Sequence, residues 1–178
     1  DVTALPGDTA AGHYRRVVAS GRMLYDRDVV YAGRSHEGSP GVNLLTPMKI
    51  DGRDTVVMVN RGWAFSPDAA SIADSLWREK DSVSVAGYAE TFAGTERAST
   101  QRRVHALDRR AVQALVGLPV APYIIVQTSD TGRHADSVPV RLGVPALSEG
   151  PHESYAIQWF SFALVAVVGG VALARRPR

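Results

Sequence analysis

Residues 154–174 read SYAIQWFSFALVAVVGGVALA, 21 positions without one charged side chain, and the chain closes on Arg-Arg-Pro-Arg at 175–178. At about 1.5 Å of rise per residue this stretch makes a helix roughly 30 Å long, the hydrocarbon thickness of a bilayer. Tyr155, Trp159 and Phe160 stand at its first end, where amphipathic rings favour the headgroup zone, and the arginines at the other end favour the cytoplasmic side. The pattern predicts a transmembrane helix over 152–174, a basic cytoplasmic tail at 175–178, and everything before them on the outer face. A buried core helix is the competing reading, but charge-free length with this asymmetry of ends argues against it. Ala166, Gly170 and Ala174 recur every four residues, so they share a face that lets another helix approach closely; lipid-facing filler explains the same spacing.

Upstream of this helix, a chain of 178 residues leaves room for one folded domain. The absence of cysteine excludes disulfides, thiolate zinc sites, iron–sulfur clusters and a Cys nucleophile together. The formal charge is +2, yet three of the 20 bases belong to the tail, which leaves 17 bases against 18 acids in the body. That balance lacks the basic footprint needed to neutralise phosphates, so nucleic acid is not an expected partner. The chain opens at Asp1 with neither a Met nor a signal sequence, so an upstream segment is expected.

Residues 1–12 are small, polar and unpatterned, as in a linker, and 13–151 read as the soluble domain. β-Branched and aromatic residues place strands at 14–24, 29–34, 42–50 and 55–60, expected to form one four-stranded meander. The tract Glu37-Gly38-Ser39-Pro40-Gly41 separates the second strand from the third, and Asp51-Gly52 suits a tight hairpin between the third and fourth. Ser66, Pro67 and Asp68 resemble a helix start, with Ala69, Ile72, Ala73 and Leu76 on one stripe after it. Alternation makes 82–92 a fifth strand, and 94–103 a polar loop. Asp108 caps a second short helix through Ala111, Leu115 and Val116 that ends at Gly117. Strands at 123–128 and 138–142 complete the domain. Runs of strands with two short helices exclude a doubly wound nucleotide fold and predict an α+β domain, a mostly antiparallel sheet or barrel-like body, with a C-terminal transmembrane helix.

Catalytic motifs are missing: there is no glycine-rich phosphate cradle, no His-Glu-x-x-His and no Gly-x-Ser-x-Gly, so no enzymatic activity is expected. Asp26 with Asp28, and Asp51 with Asp54, read as solvated surface pairs. Four of the histidines, His13, His36, His105 and His134, read as ordinary surface residues. His152 stands apart at the membrane boundary, with Tyr155 and Trp159 at i+3 and i+7 on the same helical face. A neutral imidazole there can ligate haem iron with the rings against the porphyrin; an interfacial His in an aromatic belt is the alternative.

The run Val57-Met58-Val59-Asn60-Arg61-Gly62-Trp63, the earlier Gly41-Val42-Asn43-Leu44-Leu45-Thr46-Pro47, and the later Pro151-His152-Glu153-Ser154-Tyr155-Ala156-Ile157-Gln158-Trp159-Phe160 resemble motifs of the surfeit-locus family of cytochrome c oxidase assembly factors. The order also matches, from Tyr14-Arg15-Arg16-Val17 through a Val85-to-Gly87 strand to the terminal helix, so the resemblance covers nearly the whole chain. Two departures stand out. The family's first membrane helix is not in this sequence, and Glu153 follows His152 where an apolar residue is usual.

The resemblance implies a membrane-anchored, non-enzymatic factor that receives haem a and presents it to the catalytic subunit of cytochrome c oxidase, with haem a synthase as a further candidate partner. It points to His152 as axial ligand and to Tyr155 and Trp159 as haem-lining residues. Asn60, Arg61, Gly62 and Trp63 become a candidate partner-binding motif, in which Arg61 meets a propionate or a partner carboxylate. A strand end with a local ion pair at Arg61 explains the same residues. A scaffold or lasting oxidase subunit that docks through Ala166, Gly170 and Ala174 without binding haem is the alternative function. The expected location is a bacterial plasma membrane with the domain on the periplasmic or outer face, or the inner mitochondrial membrane in a eukaryote.

Overall fold

The computed structural model describes residues 1–5, 9–72, 78–95, 101–128, 139–144 and 152–175, and it divides into two units, Asp1–Val144 and Pro145–Arg178. In the first unit, alternation dictates strand β1, Arg16–Met23, where Val17, Ala19 and Met23 are buried while Arg16, Val18 and Ser20 face out. Strands β2 (Val29–His36), β3 (Ser39–Lys49), β4 (Val56–Phe65), β5 (Ser82–Thr91), β6 (Arg103–Val104) and β7 (Val120–Gln127) complete one sheet in the order β1-β5-β7-β4-β3-β2-β6. Strand β3 also pairs with β1, through Arg22↔Lys49 and Met23↔Met48, and this closes a five-stranded barrel of β1, β5, β7, β4 and β3. Gly21 makes that closure possible, because a Cβ there would strike the Lys49 carbonyl. The pairings are antiparallel except β4 with β7 and β2 with β6.

Two apolar cores explain the strands that do not alternate. Val17, Val59, Val85 and Ile125 meet inside the barrel, while Met58, Val120 and Ile124 meet Val112 and Val116 of helix α2, Arg109–Val116, on its outer side. Strands β4 and β7 are thus covered on both faces, which is why 56–59 and 124–126 are continuous apolar runs. Helix α2 begins where Asp108 accepts the Ala111 N–H at 2.9 Å and ends at Gly117, in the left-handed region at φ 71°, as its capping residues predict.

Several local expectations are corrected. Strand β1 pairs with β5 and β3 rather than β2, so only β2, β3 and β4 form a meander. The break at 37–41 shrinks to Glu37 and Gly38, at φ 48° and 80°, a two-residue hairpin whose twist lets Ser39, Pro40 and Gly41 join β3. The Asp51-Gly52 turn is present, with Gly52 at φ 75°, but it sits within a longer loop between the paired Lys49 and Val56.

The helix expected after Ser66 does not start among the described residues. Asp68 instead accepts from the Ser66 and Ser71 hydroxyls and the Ala70 and Ser71 N–H groups, and Ala69 takes φ 49°. Ala73 and Leu76 of its stripe lie outside the described residues. The expected loop 94–103 ends in β6, and among the described residues 139–142 of the expected last strand only Val140 bridges, to Trp63. Within 1–12, read as a linker, Val2–Ala4 forms a 3-10 turn and Thr9–Gly12 a short helix, α1. Val2 is buried in the barrel core, and Gly12 lies so close to Tyr123 that a Cβ would strike its ring.

Candidate functional site

Between Asn43↔Trp63 and Leu45↔Asn60, β4 contributes two residues, Arg61 and Gly62, against the single Leu44. This β-bulge is held by Gly62, at φ 125°, whose N–H donates to Asn60 Oδ1 at 3.1 Å. A Cβ at position 62 would strike the Val140 carbonyl, so only glycine lets the 139–144 segment lie against β4 there.

Arg61 at the bulge is 1% exposed. Its guanidinium lies 3.3 Å from Glu79 Oε1 and 3.7 Å from Asp28 Oδ2, and 4.9 Å from the Tyr25 ring centroid. Arg141 donates to Glu79 Oε2 at 2.5 Å and to the Arg61 carbonyl, so Glu79 bridges two guanidiniums. Tyr25 Oη donates to the Lys80 carbonyl at 3.1 Å and accepts from the Glu79 N–H at 3.2 Å. Burial pushes the Tyr25 pKa up; the Arg61 charge opposes this, while Glu79 and Asp28 add to it.

Asn60, Arg61, Gly62 and Trp63 are all buried, and the arrangement is that of a strand end with a local ion pair. The cluster ties together the segment before β2, the bulge of β4, the approach to β5 and the 139–144 segment. Asp28 is here an ion-pair partner with its side chain only 11% exposed rather than the solvated residue its spacing suggests, while Asp26 remains 74% exposed. Sequence reading missed Asp28, Glu79 and Arg141, which lie far apart in the chain and share no motif.

Two other histidines also have partners. His13 Nε2 lies 2.6 Å from Glu90 Oε1, and the His36 ring lies 5.3 Å from that of Trp63. His134 falls outside the described residues. An open groove of about 640 Å³ runs past Ser20, Arg22, Lys49 and Ser84 at the β1–β3–β5 seam, and a shallower one of about 360 Å³ lies beside Gly117. Neither is lined by a candidate binding residue, although Asp51 borders the first and Gly117 the second. No grouping of His, Asp and Glu able to hold a metal occurs among the described residues.

The second unit contains helix α3, His152–Ala174, whose apolar window 154–171 has the length and composition to cross a membrane. His152 opens the helix; its side chain lies outside the described residues. Tyr155, Trp159 and Phe162 are exposed on one face at i, i+4 and i+7, and the last two rings meet edge to face at 6.0 Å. Ala166 and Gly170 continue that stripe, so the aromatic and the small residues belong to one side of the helix, and Ala174 follows at its margin. Flat apolar rings beside an imidazole position suit, in kind, the binding of a porphyrin.

The sequence model of the SURF1 family matches residues 2–164. SURF1-like proteins of Mycobacterium bovis and Mycobacterium tuberculosis are each 31% identical over 163 residues, covering 88% of this chain and 58% of the relative. A SURF1-like protein of Rickettsia conorii is 25% identical over 178 residues, covering 92% of this chain and 70% of its own length. The chain thus spans a little under three fifths of the mycobacterial relatives it matches.

Proposed function

We propose, from the premise that the chain belongs to the SURF1 family, that it is a membrane-anchored, non-enzymatic assembly factor for haem–copper cytochrome c oxidase. Its cargo is haem a, received and then presented to the catalytic subunit. The observation that carries this reading is helix α3, which begins at His152 and turns the exposed rings of Tyr155 and Trp159 to one side. In this role His152 supplies the axial nitrogen and the two rings cover the porphyrin face. The apolar length of α3 supports anchoring in the plasma membrane, with the barrel on the outer face and 175–178 in the cytoplasm.

The test is a visible absorption spectrum of the full chain purified in detergent from cells that make haem a, beside His152→Ala. A Soret band in the parent that is lost in the variant is the expected result. Haem-free spectra from both proteins refute haem delivery. A scaffold reading is favoured by one separate observation, the exposed Ala166, Gly170 and Ala174 on α3. Stoichiometric co-purification with the oxidase, reduced by Gly170→Leu, supports it.

A further inference from the structure

Five large apolar residues of the first unit are exposed among the described residues, and three of them, Phe65, Val140 and Val144, fall at the end of β4 or on the segment that follows its bridge. Register places their neighbours. Arg34 pairs with Gly41, Gly41 pairs with Phe65, and Trp63 bridges Val140, so Arg34, Phe65, Trp63 and Val140 project from one face of the sheet. Gly41 has no side chain to interrupt that face, and a Cβ there would strike the Trp63 indole. The rings form a continuous run, with His36 at 5.3 Å and Phe65 at 6.5 Å from Trp63, and Phe65 is 56% exposed.

We propose, resting on the reading of α3 as the membrane anchor, that this face, centred on the exposed Phe65 with Trp63 buried beneath it, bordered by Arg34, His36 and Val140 and followed by the exposed Val144 of the same segment, rests in the headgroup layer of the membrane that α3 spans. Two observations select a lipid surface as the occupant. The first is composition: an exposed Phe and two exposed valines, with an Arg and a His beside them, combine an interfacial aromatic and the cation that favour a headgroup layer, over an anionic lipid above all. The second is continuity of the chain. The 139–144 segment is held against the bulge by the Trp63–Val140 bridge and by Arg141 on Glu79. Helix α3 begins only eight residue steps beyond Val144, a span of at most about 28 Å even when fully extended. The exposed apolar residues are thus at the end of the barrel from which the chain runs on to α3.

The chain has no cysteine, so Phe65→Cys introduces a single thiol for an environment-sensitive fluorophore. Arg53→Cys, in the loop at the other end of the β3–β4 hairpin about 30 Å away, is the reference. The labelled full-length chains are placed in phosphatidylcholine–phosphatidylglycerol vesicles containing lipids with a headgroup-level nitroxide quencher. Quenching several-fold stronger at position 65 than at position 53 is expected. Equal quenching at the two positions overturns the proposal. Shielded emission at 65 without lipid quenching also overturns it and assigns the face to a protein partner. A Val144→Cys label provides a second reading if the Phe65 variant does not fold, and the same outcomes decide.

Discussion

Glu79→Gln removes one charge from a site where two guanidiniums depend on it. At an effective dielectric near 20, contacts of 3.3 Å to Arg61 and 2.5 Å to Arg141 correspond to about 5 and 7 kcal/mol of gross attraction. Most of that offsets the desolvation of groups between 1% and 11% exposed, so the net worth of the intact cluster is small while the cost of breaking it is large. Asp28 at 3.7 Å still faces Arg61 in the variant, which places the expected loss near the lower end of the range for a broken buried pair, about 3 kcal/mol. For a unit of this size the loss lowers the melting temperature by about 6 to 12 °C. Denaturant unfolding of the full chain in detergent, followed by circular dichroism, measures it. A double-mutant cycle with Arg61→Gln should return a coupling above about 1 kcal/mol. A loss under about 1 kcal/mol with no coupling is the behaviour of an exposed pair and refutes the account of a buried bridge.

Gly62→Ala forces a side chain into φ 125° and against the Val140 carbonyl, and should cost about 3 kcal/mol by the same assay. Gly33→Ala, at φ 69° with nothing within 4 Å, should cost only about 1 kcal/mol. Asp108→Ala removes the cap of α2 and should lower stability by about 1 kcal/mol, with Asp108→Ser restoring most of it. Burial first, then the Glu90 charge and Tyr14, push the Tyr88 pKa up from 10.0 to about 12. The folded state therefore keeps a proton that the unfolded chain releases. The stabilisation is complete below pH 10 and declines as the pH rises through 12, an effect Tyr88→Phe should abolish in pH-dependent unfolding.

The elements that were legible in the sequence carry their own signal. Alternation at 82–91, the Asp108 cap with Gly117 at the far end, and the charge-free run at 154–174 each need only local chemistry to be read. The misreadings have local causes of another kind. Ser66-Pro67-Asp68 offers a helix start, but the Asp68 carboxylate collects two hydroxyls and two backbone donors in a turn, and those bonds compete with helix propagation. Glu37-Gly38 reads as a wide break because Pro40 follows, although both turn residues accept positive φ and Pro40 pairs with Ser35 inside the strand. Asp28 reads as solvated because its partner, Arg61, stands 33 positions downstream.

Sequence alone determined the membrane-length helix, the β-rich body and the motif at Asn60 to Trp63, since hydropathy, period and residue type are properties of neighbours along a chain. Tertiary structure decided the rest. Closure of the barrel rests on two pairings between β1 and β3 and on a glycine that lets one backbone meet another. The same is true of Arg61, which any chain of this composition could leave in solvent. It is buried because the Gly62 bulge turns it inward to where Tyr25 and Asp28 from one segment and Glu79 from another have been brought together, and a charge is stable inside a protein only where such partners converge.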